Sequence, residues 1–523
     1  MRSTTDHRTV DALLTRRAVT HRDATFIEDP ERAYSYGTVD DLVERIASAL
    51  ISSGVTPGAR VALAMPNGID FVVVLFAVAR AGAILVPLNL DYRDSQVGYV
   101  LGDADAELLI TTRDFLDAHR GVIVESGVRV VVSGDEGVAL RDPSIVAWRT
   151  FQDHASDQQM PAVRSQDPMA IIYTSGTTGD PKGVLLCHEH QLTLADNIGT
   201  SIELTEQDCF YNFYPLHHNT GLAIITLAVL GAGARMFLVE KFSKSRFWSD
   251  VKSKGCTVFY GMGPILELLD KVDDADKQAE GHPLRVCFGL AVGEDQVARF
   301  SRRFGVRFVS GYGSTEVNMI AIAAMPTGHP GSAGKVVDDF EVVVVDSDDE
   351  PLPFGQIGEI VVRPRRPHIT YLGYWRKPDA TVRAWRNLWA HTGDAGRIDE
   401  DGYLYFSDRI DDVIRHRGNN VASLEIENVI LTHASIDEVA VIPVASELGE
   451  FDEDICAVVV ARAGHDVDPA MLVDLCRQEL PKYAVPRYVE VVGELPKTAT
   501  GKIRKVVLRG QAAGPARWDA ESH

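Results

Sequence analysis

Chemistry is concentrated in the stretch Tyr173-Thr174-Ser175-Gly176-Thr177-Thr178-Gly179-Asp180-Pro181-Lys182-Gly183-Val184, which sets hydroxyl side chains, glycines and one lysine behind the apolar run Met169-Ala170-Ile171-Ile172. Glycines let backbone N–H groups turn together toward an anion, and the Ser and Thr hydroxyls add further donors. Lys182 contributes a mobile positive charge. The apolar run reads as a buried strand, so the loop that follows reads as a grip for a polyphosphate. It is not the common nucleotide loop G-x-x-x-x-G-K-[ST]: Asp180 and Pro181 separate Gly179 from Lys182, and Gly183 stands where Ser or Thr is required. A Gly/Ser/Thr cluster in isolation is more often a surface turn, so the rest of the chain has to agree.

The elements that would position such a grip follow from periodicity. Helix-then-strand units recur as 71–81 followed by 84–88 and 222–230 followed by 235–239, each joined through Gly and Ala. Continuous apolar strands such as Arg60-Val61-Ala62-Leu63-Ala64 and Glu107-Leu108-Leu109-Ile110-Thr111 alternate with helical stretches, which predicts layered α/β sheets with helices on both faces. Two such sheets are expected side by side in roughly the first 330 residues. Over about 331–408 the texture changes to short strands separated by Gly and Pro, read as a small β-barrel or distorted sheet. Beyond Asp408-Arg409-Ile410-Asp411-Asp412 the pattern returns to mixed helix and strand, with helices expected over 423–432 and 469–480 and a strand over 438–444. The expected division is a large α/β N-terminal domain, 1–410, and a small mobile α+β C-terminal domain, 411–523.

Composition bounds the partners. A chain of 523 residues with 45% apolar content can bury several cores. A formal charge of -22 argues against nucleic-acid or anionic-membrane binding, because the summed field repels phosphates. The six cysteines include no C-x-x-C pair, so neither a zinc site nor a disulfide framework is indicated, and a reducing cytoplasm fits best. The N-terminal residues lack the apolar core of a signal peptide. The run 71–88 contains Arg80, Gly82 and Pro87 and divides into a helix and a strand, so no membrane span is expected.

The 173–184 string resembles the signature of the adenylate-forming superfamily, which comprises acyl-CoA synthetases, peptide-synthetase adenylation domains and luciferases. The resemblance runs from about residue 30 to about residue 510, with further motifs in the family's order. It implies that Thr174, Ser175, Gly176, Thr177, Thr178, Gly179 and Lys182 hold the phosphates of ATP, Thr174 also acting in catalysis. Pro215-Leu216-His217-His218-Asn219-Thr220-Gly221 resembles the segment lining the acyl pocket beside the carboxylate. There the resemblance implies a role for His218, while His217 stands where relatives more often carry Phe or Tyr. Ser310-Gly311-Tyr312-Gly313-Ser314-Thr315-Glu316 resembles the nucleotide and metal segment: Tyr312 on adenine, Thr315 at the α-phosphate and Glu316 holding Mg²⁺. A hard divalent cation suits carboxylate and phosphate oxygens. His391-Thr392-Gly393-Asp394 resembles the segment whose aspartate accepts from both ribose hydroxyls, with Arg409 as a second ribose contact.

Lys502, in Pro496-Lys497-Thr498-Ala499-Thr500-Gly501-Lys502, resembles the lysine that draws carboxylate and α-phosphate together. Arg415-His416-Arg417-Gly418-Asn419-Asn420-Val421 resembles the hairpin that guides a thiol arm, and Asp411 the hinge about which the C-terminal domain swings. Arg417 departs from the family pattern and either narrows the thiol channel or pairs with a phosphate of coenzyme A. Phe288-Gly289-Leu290-Ala291-Val292 stands where Gly-Gly-Ala-Pro is frequent near adenine, so Leu290 alters pocket width.

The implied activity is that of an acid:CoA ligase using ATP, Mg²⁺ and coenzyme A, most similar to the short-chain and crotonobetaine/carnitine-type ligases. No acidic residue lies between Asn219 and Val239, which lowers the case for amino-acid activation. Tyr260, Met262, Val317 and Met319, with His217, His218 and Gly313, would form a pocket for an apolar aliphatic, aromatic or terpenoid-like carboxylic acid. Two alternatives stand beside this reading: an adenylating enzyme that loads carrier-protein phosphopantetheine, and a non-catalytic nucleotide-binding protein on the same scaffold.

Overall fold

The computed structural model describes residues 8–133, 145–153, 159–174, 181–272, 274–290, 292–410, 413–416, 419–446, 453–497, 503–511 and 517–522. The described residues fall into two compact units, one drawn from 8–174, 181–341 and 363–386, the other from 342–362 and 387–522.

Two sheets organise the first unit, as its continuous apolar runs require. In one, the strands stand in the order Gly373–Tyr374, Lys182–Cys187, Pro168–Thr174, Ile84–Pro87, Arg60–Ala64, Leu108–Thr112, Arg129–Ser133, Ile145–Ala147. Its interior pairings are parallel, and Pro168–Thr174 turns back antiparallel on Lys182–Cys187. The other runs from Gly334–Val336 through Asn318–Met325, Arg307–Ser314, Val286–Gly289, Val258–Tyr260, Cys209–Asn212, Arg235–Leu238 and Thr25–Glu28 to Ala33–Ser35. The five central pairings, from Arg307–Ser314 to Thr25–Glu28, are parallel.

The apolar run near residue 75 is a single buried helix, Ile69–Arg80, every residue of which but Asp70 is enclosed. Each fully buried Val, Leu or Phe there contributes roughly 1.5–3 kcal/mol as an upper bound. Its one buried charge, Arg80, is 4% exposed and paired with Asp11 at 2.5 Å and Glu44 at 3.1 Å, which is how a guanidinium is tolerated at that depth. Among the described residues no helix is long and apolar enough to cross a membrane. All six cysteines are buried free thiols.

The segment read as a helix over 222–230 is a π-helix, Thr220–Leu227, continued by the α-helix Ala228–Ala232. Its wide turn is reinforced by the Thr226 hydroxyl, which donates to the Gly221 carbonyl five residues back at 2.7 Å. Such widened turns recur at functional sites because they re-aim the residues at their ends.

In the second unit, Phe340–Val345, Gly358–Pro364, Trp389–Ile398 and Tyr403–Arg409 lie side by side as a bulged sheet. A hairpin, Val413–His416 with Asn419–Ala422, leads into the helix Ser423–Leu431. A second sheet follows, in the order Ile436–Ala445, Glu453–Ala461, Tyr488–Val492, Trp518–Asp519. The helix Pro469–Glu479 starts as its sequence directs, with Pro469 in the first turn and the Asp468 carboxylate accepting from Ala470 N at 3.0 Å. Ile414, Val421, Ile426, Ile430, Val441, Ile455 and Leu472 form part of the core between these elements.

Candidate active site

Thr174 and Lys182 end the antiparallel pair that flanks the loop read as a phosphate grip and stand opposite each other, with the Thr174 hydroxyl 3.4 Å from the Lys182 carbonyl. Ser175, Gly176, Thr177, Thr178 and Gly179 lie outside the described residues. The short strand Gly373–Tyr374 docks on the Lys182 side of the pair, and Trp375 N donates to Gly183 O at 2.7 Å. That docking puts the Tyr374 ring 5.1 Å from Lys182 Nζ, within cation–π range, and its hydroxyl 3.2 Å from Glu316 Oε1. The other Glu316 oxygen accepts from Ser314 Oγ at 3.0 Å. Thr174, Lys182 and Glu316, widely separated in sequence, therefore share one neighbourhood through Tyr374. Sequence reasoning missed Tyr374; its available signal was the dense aromatic run Tyr371-Leu372-Gly373-Tyr374-Trp375.

The Glu316 turn is shaped by close backbone approach. A Cβ on Gly313 would stand 2.1 Å from Asn318 O, and one on Gly311 would stand 2.9 Å from both Ala321 O and Met319 Sδ. Asn318 closes the turn at φ 76°, and its amide donates to His190 O and Ile369 O. Val317 and Met319 are buried, while Tyr312, Thr315 and Glu316 are partly exposed. Gly289 pairs with Ser310 on the neighbouring strand, and Leu290, half-buried, follows it; Ala291 lies outside the described residues.

His217 and His218 sit just before the π-helix, on a loop that Asn67 brackets by donating to Tyr214 O and accepting from Leu216 N. A Gly221 Cβ would meet Pro215 O at 2.4 Å, so only glycine lets the π-helix begin there. Burial lowers both imidazoles, His217 to about 4, with His218 adding to the effect and Asp91 opposing it. His218 Nδ1 accepts from Thr220 N at 3.2 Å, which places the proton of a neutral ring on Nε2 and makes that nitrogen a donor. The Thr220 side chain lies beside the Tyr260 phenol, and the Tyr260 ring meets Tyr214 edge-on at 4.5 Å. His218 and Tyr260 are thus brought together, while Met262, beside Tyr214, is 37% exposed.

In the second unit, Asp394 pairs across the strands with Arg409, whose Nη1 donates to Asp394 Oδ1 at 2.7 Å. Gly393 is favoured by φ 68°, and Arg409 Nη2 lies 3.3 Å from its Cβ position. Glu359 braces this turn, accepting from Gly393 N at 3.1 Å and contacting His391 Nδ1 at 2.9 Å. Sequence reasoning missed Glu359, which nothing in its local pattern marks. Asp349, Glu359 and His391 have spacing that a metal could use, but Gly393 and Asn387 already engage the two carboxylates, so the cluster serves as a brace.

Lys502, Asp411, Arg417 and Gly418 lie outside the described residues. Lys505 Nζ pairs with Glu427 at 2.7 Å and donates to Ser423 Oγ. Burial raises the Glu427 carboxyl, and Lys505 opposes that shift. Asp408 Oδ2 accepts from Leu424 N at 3.0 Å and from Ser423 Oγ, capping the helix Ser423–Leu431 from outside its own turn.

The family model described as AMP-binding enzyme matches residues 14–375, and that of the AMP-binding enzyme C-terminal domain matches residues 425–502. A crotonobetaine/carnitine–CoA ligase of Salmonella agona is 30% identical over 486 residues, 91% of this chain and 93% of that one. ATP-bound MatB from Rhodopseudomonas palustris superposes with TM-score 0.84 at 26% identity, covering 96% of this chain and 99% of that one. The anthranilate CoA ligase AuaEII, in complex with anthranoyl-AMP, shares the fold, with TM-score 0.86 at 24% identity over 97% of both chains. With both family models matched in order, the first over more than half of the chain, the chain belongs to the AMP-binding enzyme family.

Proposed function

We propose that this protein is an AMP-forming acid:CoA ligase. The carboxylate oxygen of an acid attacks the α-phosphorus of ATP, the bond to the β-phosphate breaks, and pyrophosphate leaves an acyl adenylate. The sulfur of coenzyme A then attacks the acyl carbon, the carbon–oxygen bond to AMP breaks, and the thiol proton passes to solvent. The observation that carries this reading is the neighbourhood of Thr174, Lys182, Tyr374 and Glu316 at the mouth of the phosphate strand pair.

Glu316 fits a divalent cation: it is a partly exposed carboxylate oriented by two neutral hydroxyls, those of Ser314 and Tyr374. Mg²⁺ held there would neutralise charge on the phosphates. Lys182 adds a cation on the phosphate side, and Tyr312 and Thr315 are assigned to adenine and the α-phosphate. Asp394 and Arg409 take the ribose hydroxyls as acceptor and donor. His218 presents Nε2–H as a neutral donor beside the acid, against walls supplied by Tyr214, Tyr260, Val317 and Met319, which suit an acid with an apolar aliphatic or aromatic body. Lys502 is assigned the approach of the two anions, and a hinge at Asp411, separating 1–410 from 411–523, would exchange it for the Arg417-Gly418 hairpin in the thioester step.

Pyrophosphate release across a broad acid panel tests the reading, followed by thiol consumption with coenzyme A and, separately, with a phosphopantetheinylated carrier protein. Acid-dependent release with thioester formation on coenzyme A is expected. Release with loading of the carrier protein alone would reassign the acceptor, and no acid-dependent release would sink the proposal. Lys502→Ala should lower adenylate formation by about 10²-fold or more while sparing thioester formation from supplied acyl adenylate. Equal loss in both half-reactions would refute the lysine's role.

A further inference from the structure

The chain approaches and leaves the segment 175–180 beside one helix, Asp94–Ala104. On the approach, the Tyr173 phenol donates to Asp103 Oδ2 at 2.7 Å. On the far side, the Tyr99 hydroxyl donates to the Pro181 carbonyl at 2.9 Å. Tyr99 and Asp103 are four positions apart on that helix and so share one face of it. The Tyr99 and Tyr173 rings meet edge-on at 6.3 Å. Burial, and after it the hydrogen bond to Asp103, push the Tyr173 phenol well above its ordinary value, so it keeps its proton and remains a donor.

Further contacts fix Asp103 itself. Lys377 Nζ pairs with Asp103 Oδ1 at 3.1 Å and lies 5.7 Å from the centre of the Tyr99 ring. Trp375 Nε1 donates to the Asp103 carbonyl at 3.1 Å, and the backbone N–H of the same tryptophan holds Gly183 O. Gly183 faces Tyr173 across the strand pair, where a Cβ would stand 2.6 Å from Ile171 Cγ2 and 3.1 Å from Tyr173 Cζ; glycine leaves room for the ring. Phenylalanine would fill the same space at 99 and 173. What the two hydroxyls add is fixation of the residues from which the loop springs.

We infer that Tyr99, Asp103 and Tyr173 are positioning residues for ATP: they pin the chain on both sides of 175–180 to one helix, which reduces the freedom lost when that loop takes up the polyphosphate. The inference rests on the ligase reading above. Backbone and hydroxyl donors that must converge on one anion bind it more tightly when their ends are held beforehand. Lys377 and Trp375 anchor Asp103, so the helix and the Gly373–Tyr374 strand brace the loop together. The thioester step uses the acyl adenylate, which has no pyrophosphoryl group. The clamp should therefore matter in the first half-reaction and not in the second.

The test measures both half-reactions of the full chain carrying Tyr99→Phe, Tyr173→Phe or both, together with the rise in Tm given by MgATP and by AMP. Each single variant should raise the KM for ATP by about three- to tenfold and the double variant by more, while the KM for the acid and thioester formation from supplied acyl adenylate stay within about twofold. Asp103→Ala should match or exceed Tyr173→Phe. MgATP should raise Tm less in the variants than in the wild type, and the shift given by AMP should be retained. An unchanged KM for ATP, or equal loss in both half-reactions, would make these residues packing groups only and overturn the inference. Should the double variant fail to fold, the single variants decide. If no acid supports pyrophosphate release, the ligase reading falls and the Tm shifts alone judge the clamp: no MgATP shift in the wild type, or one that the variants keep in full, overturns it.

Discussion

Glu316 and Asp394 are both carboxylates at glycine-rich turns, and the two units hold them by opposite means. Glu316 in the first unit is partly exposed and oriented by neutral hydroxyls, those of Ser314 and Tyr374. Asp394 in the second is buried on a glycine-dependent turn, with Arg409 bonded to one of its oxygens. A carboxylate that must accept and release a cation needs donors that aim it without neutralising it. One that must recognise a fixed pair of hydroxyls gains from a rigid ionic partner. On the roles proposed for Glu316 and Asp394, the same functional group is thus suited to two tasks by its neighbours.

The contrast is easiest to break at Asp394. Asp394→Ala leaves the Arg409 guanidinium without its carboxylate and removes the ribose acceptor, so the KM for ATP should rise by about tenfold to a hundredfold. An unchanged KM would remove Asp394 from the nucleotide site. Glu316→Gln keeps the shape and loses the charge; it should lower kcat/KM by about tenfold at limiting Mg²⁺ and move the Mg²⁺ titration to higher concentration. If the Mg²⁺ curve stays in place, Glu316 is not the cation's ligand.

Acid sharpens the comparison at the level of the units. Burial lowers His188 to about 4, His190 to about 3 and His217 to about 4, and all three lie in the first unit. Between these values and the unfolded value near 6.5 the unfolded chain binds more protons, so stability is present above pH 6.5 and is lost as pH falls below it. Each histidine adds at most about 1.4 kcal/mol per pH unit. Hydrogen exchange resolved by region should show the first unit weakening from pH 7 to pH 5, with a shallower slope in His190→Leu. A slope that His190→Leu leaves unaltered would contradict the role of burial. The smallest effect is expected for Tyr374→Phe, which removes one hydrogen bond to Glu316 while keeping the ring under Lys182; activity should fall by about three- to tenfold. A null result would make Tyr374 a packing residue only.

Much of this was legible in the residues. The Ile69–Arg80 helix, the parallel strands and the strand behind the phosphate loop follow from apolar runs whose burial is dictated by composition. The Glu316 turn carries Gly313, whose Cβ would clash with Asn318 O, and the Asp394 turn carries Gly393 at positive φ, so both turns were marked by local sequence. Tyr374 and Glu359 were not legible, because each acts on a residue dozens of positions away and has no motif of its own. The π-helical turn was hidden as well, since an apolar run such as Thr220–Leu227 has no period that separates a π-helix from an α-helix.

Sequence alone determined the layered α/β architecture and the family, because strand burial, glycine-dependent turns and motif order are properties of neighbouring residues. Only the tertiary structure decided which of the candidate groups share a neighbourhood and how the two carboxylates differ. Those are consequences of packing, in which a side chain's partners, charge and hydration are set by residues remote from it along the chain.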